Sequence, residues 1–360
     1  MNLLVGLLLG CGDKDTADDS GIDDPGTDDS GIDTDDTADP GTSPCAEPTV
    51  TFVDEDGEET DLTEPLTSGE YTTLSDPGTL SVCPGTWYAR LLLRADIEVV
   101  GLGADRSETI LSGGESGTIL DIGGPRVVTV RNLTLDRGAG LDVDHNSGGG
   151  GLYCEENATV SIEDVTFSRG FANDGAGLYA ISCTIEIQDS EFIDNLSEDD
   201  GGALTLWDST ATIIGVTFEN NTALDGGAMA LFTSEVTIED TTITDNVSSY
   251  FAGGIWQYNS ILTLRDVTLS GNLNSGNDGG GLLAYGTTTL ERVSFTDNSA
   301  EGGGGLYVYF ESEVTGTDCD FSGNSPDDIW VDDYGDDGGV SHTAGSGYSF
   351  VCAGNACWEK

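Results

Sequence analysis

Two phrases recur through this 360-residue chain at a nearly fixed interval, and they restrict its fold more than any other feature. The first has the form V-T-F-x-x-N. Its key apolar residues fall at Ile110, Leu135, Phe167, Phe192, Phe218, Ile243, Leu269, Phe295 and Phe321, the last seven spaced 25, 26, 25, 26, 26 and 26 residues apart. Asn195, Asn221, Asn246, Asn272, Asn298 and Asn324 stand three residues after the last six of these, whereas Gly170 takes that slot after Phe167. The second phrase is a glycine pair or trio followed by one apolar residue: Leu152, Leu178, Leu204, Met229, Ile255, Leu282 and Leu306. Two independent registers with one period mark a repeat architecture.

Within each repeat the apolar residues alternate in twos, as in Val160, Ile162, then Val165 and Phe167, which is the periodicity of strands. Paired glycines in every repeat would each cost a helix about 1 kcal/mol. Propeller blades need repeats of about 40 residues or more. What remains is an all-β chain winding through short parallel strands, with coils stacked about 4.8 Å apart. Stacking places equivalent residues above one another, so the recurring asparagines are expected to form a hydrogen-bonded ladder at a turn. The glycines supply positive φ or close backbone approach at a corner. Leucine-rich repeats share an asparagine ladder and a similar period and are the alternative; the glycine phrase and a second alternating strand in every repeat favour a β-helix.

The phrases GGAL at 201 and GGAM at 226, with FxxN at 192, 218 and 295, resemble the repeats of polymorphic outer-membrane proteins. That resemblance implies a right-handed parallel β-helix with about 26 residues per coil, of a kind found in surface adhesins. More broadly the chain is similar to the pectin-lyase-like superfamily, and Cys83-Pro84-Gly85-Thr86-Trp87-Tyr88 through VVGLGADRSETILSGG resembles the first rungs of such proteins. The resemblance covers about residues 80–325 and speaks for fold; this architecture hosts many activities.

Residues 1–11 end in Leu8-Leu9-Gly10-Cys11, which looks like a bacterial lipobox, with Cys11 the lipidation candidate. Residues 12–44 hold twelve Asp and one Lys, a self-repelling tether that buries nothing. Adhesins with such repeats end in a membrane barrel, whereas this chain ends SFVCAGNACWEK, so attachment is expected through a lipid at Cys11. Residues 45–80 and 326–360 are the expected caps of a helix spanning 81–325. The expected location is the bacterial cell envelope, at the outer membrane or cell surface. With 11 basic residues against 66 acidic and a net charge of −55, binding to nucleic acid is excluded. Beyond Cys11 and Cys319, which occupies a core slot, Cys45, Cys83, Cys154, Cys183, Cys352 and Cys357 are disulfide candidates; six cysteines allow about fifteen connectivities, and 45 with 83, 154 with 183 and 352 with 357 is the one expected.

In the strand after the glycines, alternation turns the second and fourth residues outward. The outward set includes Tyr179, Trp207, Phe232, Trp256, Tyr258, Tyr285, Tyr307 and Tyr309, an aromatic stripe suited to stacking on a glycan or meeting a surface partner. The next strand turns out Thr212, Thr237, Thr263, Thr289 and Thr315. Before the glycines stand Asp174, Asp200 and Asp225, whose mutual repulsion calls for exposure or a cation, with calcium the candidate. The pectate lyases that share the resemblance use calcium and an arginine base, and related hydrolases use Gly-His-Gly and Arg-x-Lys phrases, neither of which occurs here. Lysine occurs only at 14 and 360, and imidazole only at His145 and His342. The interval from Leu135 to Phe167 lengthens to 32 residues, and Asp142, Asp144 and His145 in it, with Arg137 and Arg169 near its root, are the candidates for acid–base work. The readings are a surface binding module whose partner is a polysaccharide or a surface protein, a calcium-assisted lyase or glycoside hydrolase near 136–148, and a structural envelope protein.

Overall fold

The structure is a computed structural model and describes residues 45–140, 148–332, 339–353 and 356–360. Cys11, the 12–44 stretch and the loop residues Asp142, Asp144 and His145 lie outside the described residues. From Cys45 onward the described residues form one unit, a parallel β-solenoid.

Each coil begins on a glycine-led strand such as Leu178–Ile181, turns a corner into a longer strand such as Thr184–Gln188, and continues through a short one such as Glu191–Ile193. A second sheet of short strands, among them Leu196–Ser197 and Val247–Phe251, closes the coil. Both sequence registers hold. Leu152, Leu178, Leu204, Met229, Ile255, Leu282 and Leu306 are consecutive partners in one parallel ladder, and all are fully buried. Leu135, Phe167, Phe192, Phe218, Ile243, Leu269, Phe295 and Phe321 form a second, in which the Phe167 and Phe192 rings stack at 4.4 Å. The register slips by one in the early coils: Leu135 lies on Leu111, which is fully buried, and not on the expected Ile110.

The asparagine ladder forms as the repeat requires. Asn195 Nδ2 donates to Asn221 Oδ1 at 3.0 Å, and the chain of amides continues through Asn246, Asn272 and Asn298 to Asn324. Gly170 caps it, its N–H donating to Asn195 Oδ1 at 2.9 Å, where a Cβ would sit 2.2 Å from the Ala176 carbonyl. The residue before each asparagine turns the corner in the left-handed region: Asp194 (φ 57°), Asn220 (56°), Asp245 (54°), Gly271 (64°), Asp297 (55°) and Gly323 (69°), residue types that tolerate it. A serine ladder that the repeat phrases did not single out holds another corner, where Ser209, Ser234 and Ser260 accept the N–H of Cys183, Ser209 and Ser234 in turn.

The parallel ladder runs from Tyr71–Leu74 to Ile329–Asp332, so part of each stretch expected as a cap belongs to the solenoid. Antiparallel strands close both ends: Val50–Asp54 against Gly78–Val82, and Tyr348–Ala353 against Glu313–Ser322. They cover edges that would otherwise offer unpaired backbone to another chain.

Two of the three expected disulfides are present, Cys45–Cys83 and Cys352–Cys357. The third is not: Cys154 and Cys183 are buried free thiols, as is Cys319 in its core slot. Cys154 pairs in register with Ala180, not with Cys183, whose thiol points to the Ile181 carbonyl at 3.5 Å. Burial pushes the Cys154 thiol up, and the neighbouring Cys183 adds to the shift. Alkylation of the denatured, unreduced protein is therefore expected to label Cys154, Cys183 and Cys319 and to spare Cys45, Cys83, Cys352 and Cys357. A peptide map with Cys154 linked to Cys183 contradicts this.

Candidate functional site

The glycine-led strands place the aromatic residues in two rows, as their alternation requires. The fourth-position row carries Trp207, Phe232, Tyr258 and Tyr285 in consecutive register, with Tyr309 continuing it by ring contact. Ring centroids lie 4.1 Å apart from Trp207 to Phe232, 6.2 Å to Tyr258, 4.9 Å to Tyr285 and 4.8 Å to Tyr309. Trp207, Tyr258 and Tyr309 are 37%, 40% and 37% exposed. Phe232 is buried between the stacked Trp207 and an edge-on Trp256, so it is a floor and not a surface. Phe251, Trp256, Tyr258, Leu283, Tyr285 and Tyr309 surround a shallow cavity of about 100 Å³.

The second-position row is only in part the surface the sequence led us to expect. Trp256 is half-buried at the edge of the shallow cavity, whereas Tyr179 and Tyr307 are buried, with Thr205 and Leu283. The cause is the glycine turn, which folds the preceding segment back over the strand. A Cβ on Gly148 would lie 1.8 Å from the Tyr179 ring, and one on Gly279 would lie 2.9 Å from Leu283 Cβ. Burial, with nearby Asp174 and Asp200, pushes the Tyr179 phenol up; burial and Asp278 do the same to Tyr307. Strand alternation predicts which way a side chain points, but not what later lies over it.

The covering segments carry the aspartate ladder. Asp174 Oδ1 accepts the Asp200 N–H at 3.3 Å, and Asp225 Oδ1 accepts the Phe251 N–H at 2.8 Å, each carboxylate tying its coil to the next. Partial burial raises all of them: Asp174 and Asp225 to about 6, and Asp278 likewise to about 6. Asp200 rises to about 8, because burial is joined by the charges of Asp174, Asp199 and Asp225. Carboxylate oxygens of Asp174, Asp199 and Asp200 lie within 4.8 Å of one another, so Asp199, missed in the sequence, replaces Asp225 in the closest group. Calcium takes about 6–8 oxygen ligands. Three carboxylates supply part of that set, one of them already accepting a backbone N–H.

Of the acid–base candidates, Arg137 and Arg169 are brought together on a carboxylate that sequence reasoning passed over. Asp136 is buried, and its Oδ1 accepts from Arg169 Nε at 2.8 Å and from Ser168 Oγ at 2.9 Å. Arg137 Nε lies 3.8 Å from its other oxygen. Both arginines take the left-handed corner conformation, φ 50° and 53°, in the slot that Asp194 fills one coil later. The available signal was the Asp-Arg step directly after Leu135.

Residues 128–302 match the family profile described as "Right handed beta helix region". This stretch is a right-handed β-helix. The resemblance expected from the glycine and FxxN phrases therefore holds for the fold, and the leucine-rich-repeat alternative falls. No curated protein matches the chain. Among solved structures it is similar to the catalytic domain of a GH87 α-1,3-glucanase in complex with nigerose, at 11% identity and a TM-score of 0.36 over 74% of this chain. It spans 57% of that domain's length. It is also similar to PfbA, a surface adhesin of Streptococcus pneumoniae, at 10% identity and a TM-score of 0.26, covering 81% of this chain and 89% of the adhesin. Among the described residues no helix is long and apolar enough to cross a membrane.

Proposed function

We propose that this right-handed β-helix is a non-catalytic glycan-binding module whose working face is the ring row from Trp207 to Tyr309. The observation that supports the reading is the unbroken contact of aromatic rings through successive coils, with Trp207, Tyr258 and Tyr309 open to solvent. Successive rings are turned 18°, 51°, 89° and 40° to one another, so the row offers both ring faces and ring edges to the C–H groups of a sugar chain. The rings stand on strands of the solenoid, so no loop has to be ordered on binding. Exposed apolar area of this kind marks a contact surface. The six residues around its cavity are all uncharged. Of the sequence's acid–base candidates, Arg137 and Arg169 are the described ones, and both guanidinium groups face the Asp136 carboxylate.

Calorimetric titration of the full-length protein with soluble polysaccharides tests the reading, with reducing-end release followed in the same samples. Trp207→Ala with Tyr258→Ala is expected to weaken binding by at least about tenfold, ~1.4 kcal/mol, while leaving the thermal transition in place. Unchanged affinity in the folded double variant sinks the ring row as the working face. Release of reducing ends would move the function to catalysis.

A further inference from the structure

The first coils carry a surface feature that the repeat does not. Three concavities adjoin there and share walls. One, of about 290 Å³, is lined by Tyr71, Arg90, Arg94, Asp121, Tyr153 and Glu155. The next, of about 280 Å³, shares Arg90 and Ser116 with it and adds Tyr88 and Ser112. The third, of about 470 Å³, shares Tyr88, Ser112 and Gly114 with the second and runs to Glu115, Asp136, Arg137 and Arg169. Through these shared residues the three adjoin along one side of the first coils, and we treat them as one groove.

Its walls combine open rings with charges that are already paired. Tyr71 and Tyr88 are 59% and 50% exposed. The Arg90 guanidinium lies 4.4 Å over the Tyr71 ring while its Nε donates to the Gly69 carbonyl at 3.0 Å, which fixes one face of the ring and leaves the other open. Arg94 donates to the Asp121 carboxylate at 3.0 Å and to the Asp121 carbonyl at 2.9 Å. The Tyr153 hydroxyl donates to Glu155 at 2.8 Å, and Arg169 is held by buried Asp136. These donors and acceptors are oriented before any ligand arrives, so little ordering is left to be done on binding.

Charge selects the ligand. Arginines 90, 94, 137 and 169 line the groove together with carboxylates 115, 121, 136 and 155, so its lining charges sum to zero on a chain of net charge −55. A polyanion finds no net positive site here and meets the repulsive field of the whole chain. A polycation has acidic surface everywhere and nothing to draw it to this groove. A neutral polyhydroxyl chain uses what the groove supplies: ring faces for its C–H faces and charged partners for its hydroxyls.

We propose that this groove is a second saccharide site, separate from the ring row, that takes a short neutral oligosaccharide. Tyr71 stacks in register on Arg90 and Tyr88 on Ser112 in the first coils, and none of Tyr71, Tyr88 and Arg90 belongs to the glycine or FxxN phrases that build the ring row. The full-length protein is titrated with maltohexaose, cellohexaose and laminarihexaose, and with hexagalacturonate as the acidic counterpart. At least one neutral hexaose is expected to bind. Tyr71→Ala with Tyr88→Ala is expected to weaken that binding by at least about tenfold. Tyr71→Phe with Tyr88→Phe, which keeps the ring faces and guards against a folding defect, retains it. Trp207→Ala with Tyr258→Ala also retains it, because the row is a different site. The proposal is overturned if no neutral hexaose binds, if hexagalacturonate binds more tightly, or if the Tyr→Ala pair binds as the wild type does. Loss of hexaose binding only in the Trp207 and Tyr258 pair would overturn the second site and support the ring row.

Discussion

Asn246→Ala is expected to lower the stability of the protein by about 3 kcal/mol, read as a fall in the urea midpoint with the slope of the transition unchanged. Asn246 is fully buried, and its amide serves both neighbouring coils. Its Oδ1 accepts the Asn221 N–H and the Asn221 Nδ2, each at 2.9 Å. Its Nδ2 donates to the Phe218 carbonyl at 3.0 Å, the Thr244 carbonyl at 2.9 Å and Asn272 Oδ1 at 3.0 Å. Alanine leaves the Asn221 N–H and one amide hydrogen without an acceptor in a site that water does not reach. Each such orphan costs about 1–3 kcal/mol, more than the net worth of the bond itself. Asn246→Asp is expected to be worse at neutral pH, because a buried carboxylate keeps the acceptor, loses the donor and places its charge against the Phe218 carbonyl and Asn272 Oδ1. Thr212→Ala on the exposed threonine row is the comparison and should change stability by less than about 0.5 kcal/mol. An Asn246→Ala midpoint equal to that of Thr212→Ala would show that the ladder does not hold the coils together.

The second large effect is a fall in stability as the pH rises from about 4 to about 8, centred on Asp200. Its carboxyl is raised from an ordinary 3.8 to about 8 by burial, then by Asp174, Asp199 and Asp225. The protonated form is thus the one the folded coil accommodates. The stability that this proton confers is complete below 3.8 and is lost as the pH climbs through about 8. Between those limits the unfolded chain binds fewer protons than the folded one, so the slope of stability against pH is negative. Asp200→Asn mimics the protonated acid. At pH 8.5 it should raise the thermal midpoint by several degrees, on the order of a few kcal/mol, and it should flatten the pH dependence. Working in chelator keeps cations from taking the place of the proton. Adding calcium chloride then tests Asp174, Asp199 and Asp200 as metal ligands: the metal reading requires calcium to restore the wild type at pH 8.5 and to do nothing for Asp200→Asn. A wild-type midpoint that does not change from pH 5 to 8.5 contradicts the buried-ladder account.

The stacked part of the fold was legible because a solenoid repeats one constraint. A residue that is buried at Leu178 is buried again at Leu204 and Met229, so the sequence shows the same slot many times. Ile110 was misplaced by one because the early coils predate the regular phrases and nothing marked Leu111 as the stacked residue. The candidate face was legible only in part. The direction of Tyr179, Phe232 and Tyr307 follows from alternation. Their burial depends on a turn folding back at glycine and on neighbouring rings, which strand period does not encode. Cys154 and Cys183 were rightly placed as neighbours, since the Cys183 side chain adds to the shift of the Cys154 thiol, yet both stay free thiols, which proximity in sequence register does not decide. Tyr71, Tyr88 and Arg90 went unseen because they lie outside the repeat, and only three dimensions join them to Arg169 through shared walls.

Binding at the ring row is tested most directly by hydroxyl-radical footprinting of the full-length protein, free and saturated with a soluble neutral polysaccharide. The account predicts that Trp207, Tyr258, Tyr285 and Tyr309 become protected, while Trp358, 55% exposed in the C-terminal strand Ala356–Glu359 and outside the ring row, is modified at the same rate in both states. Equal modification of Trp207, Tyr258 and Tyr309 with and without the polysaccharide would contradict it.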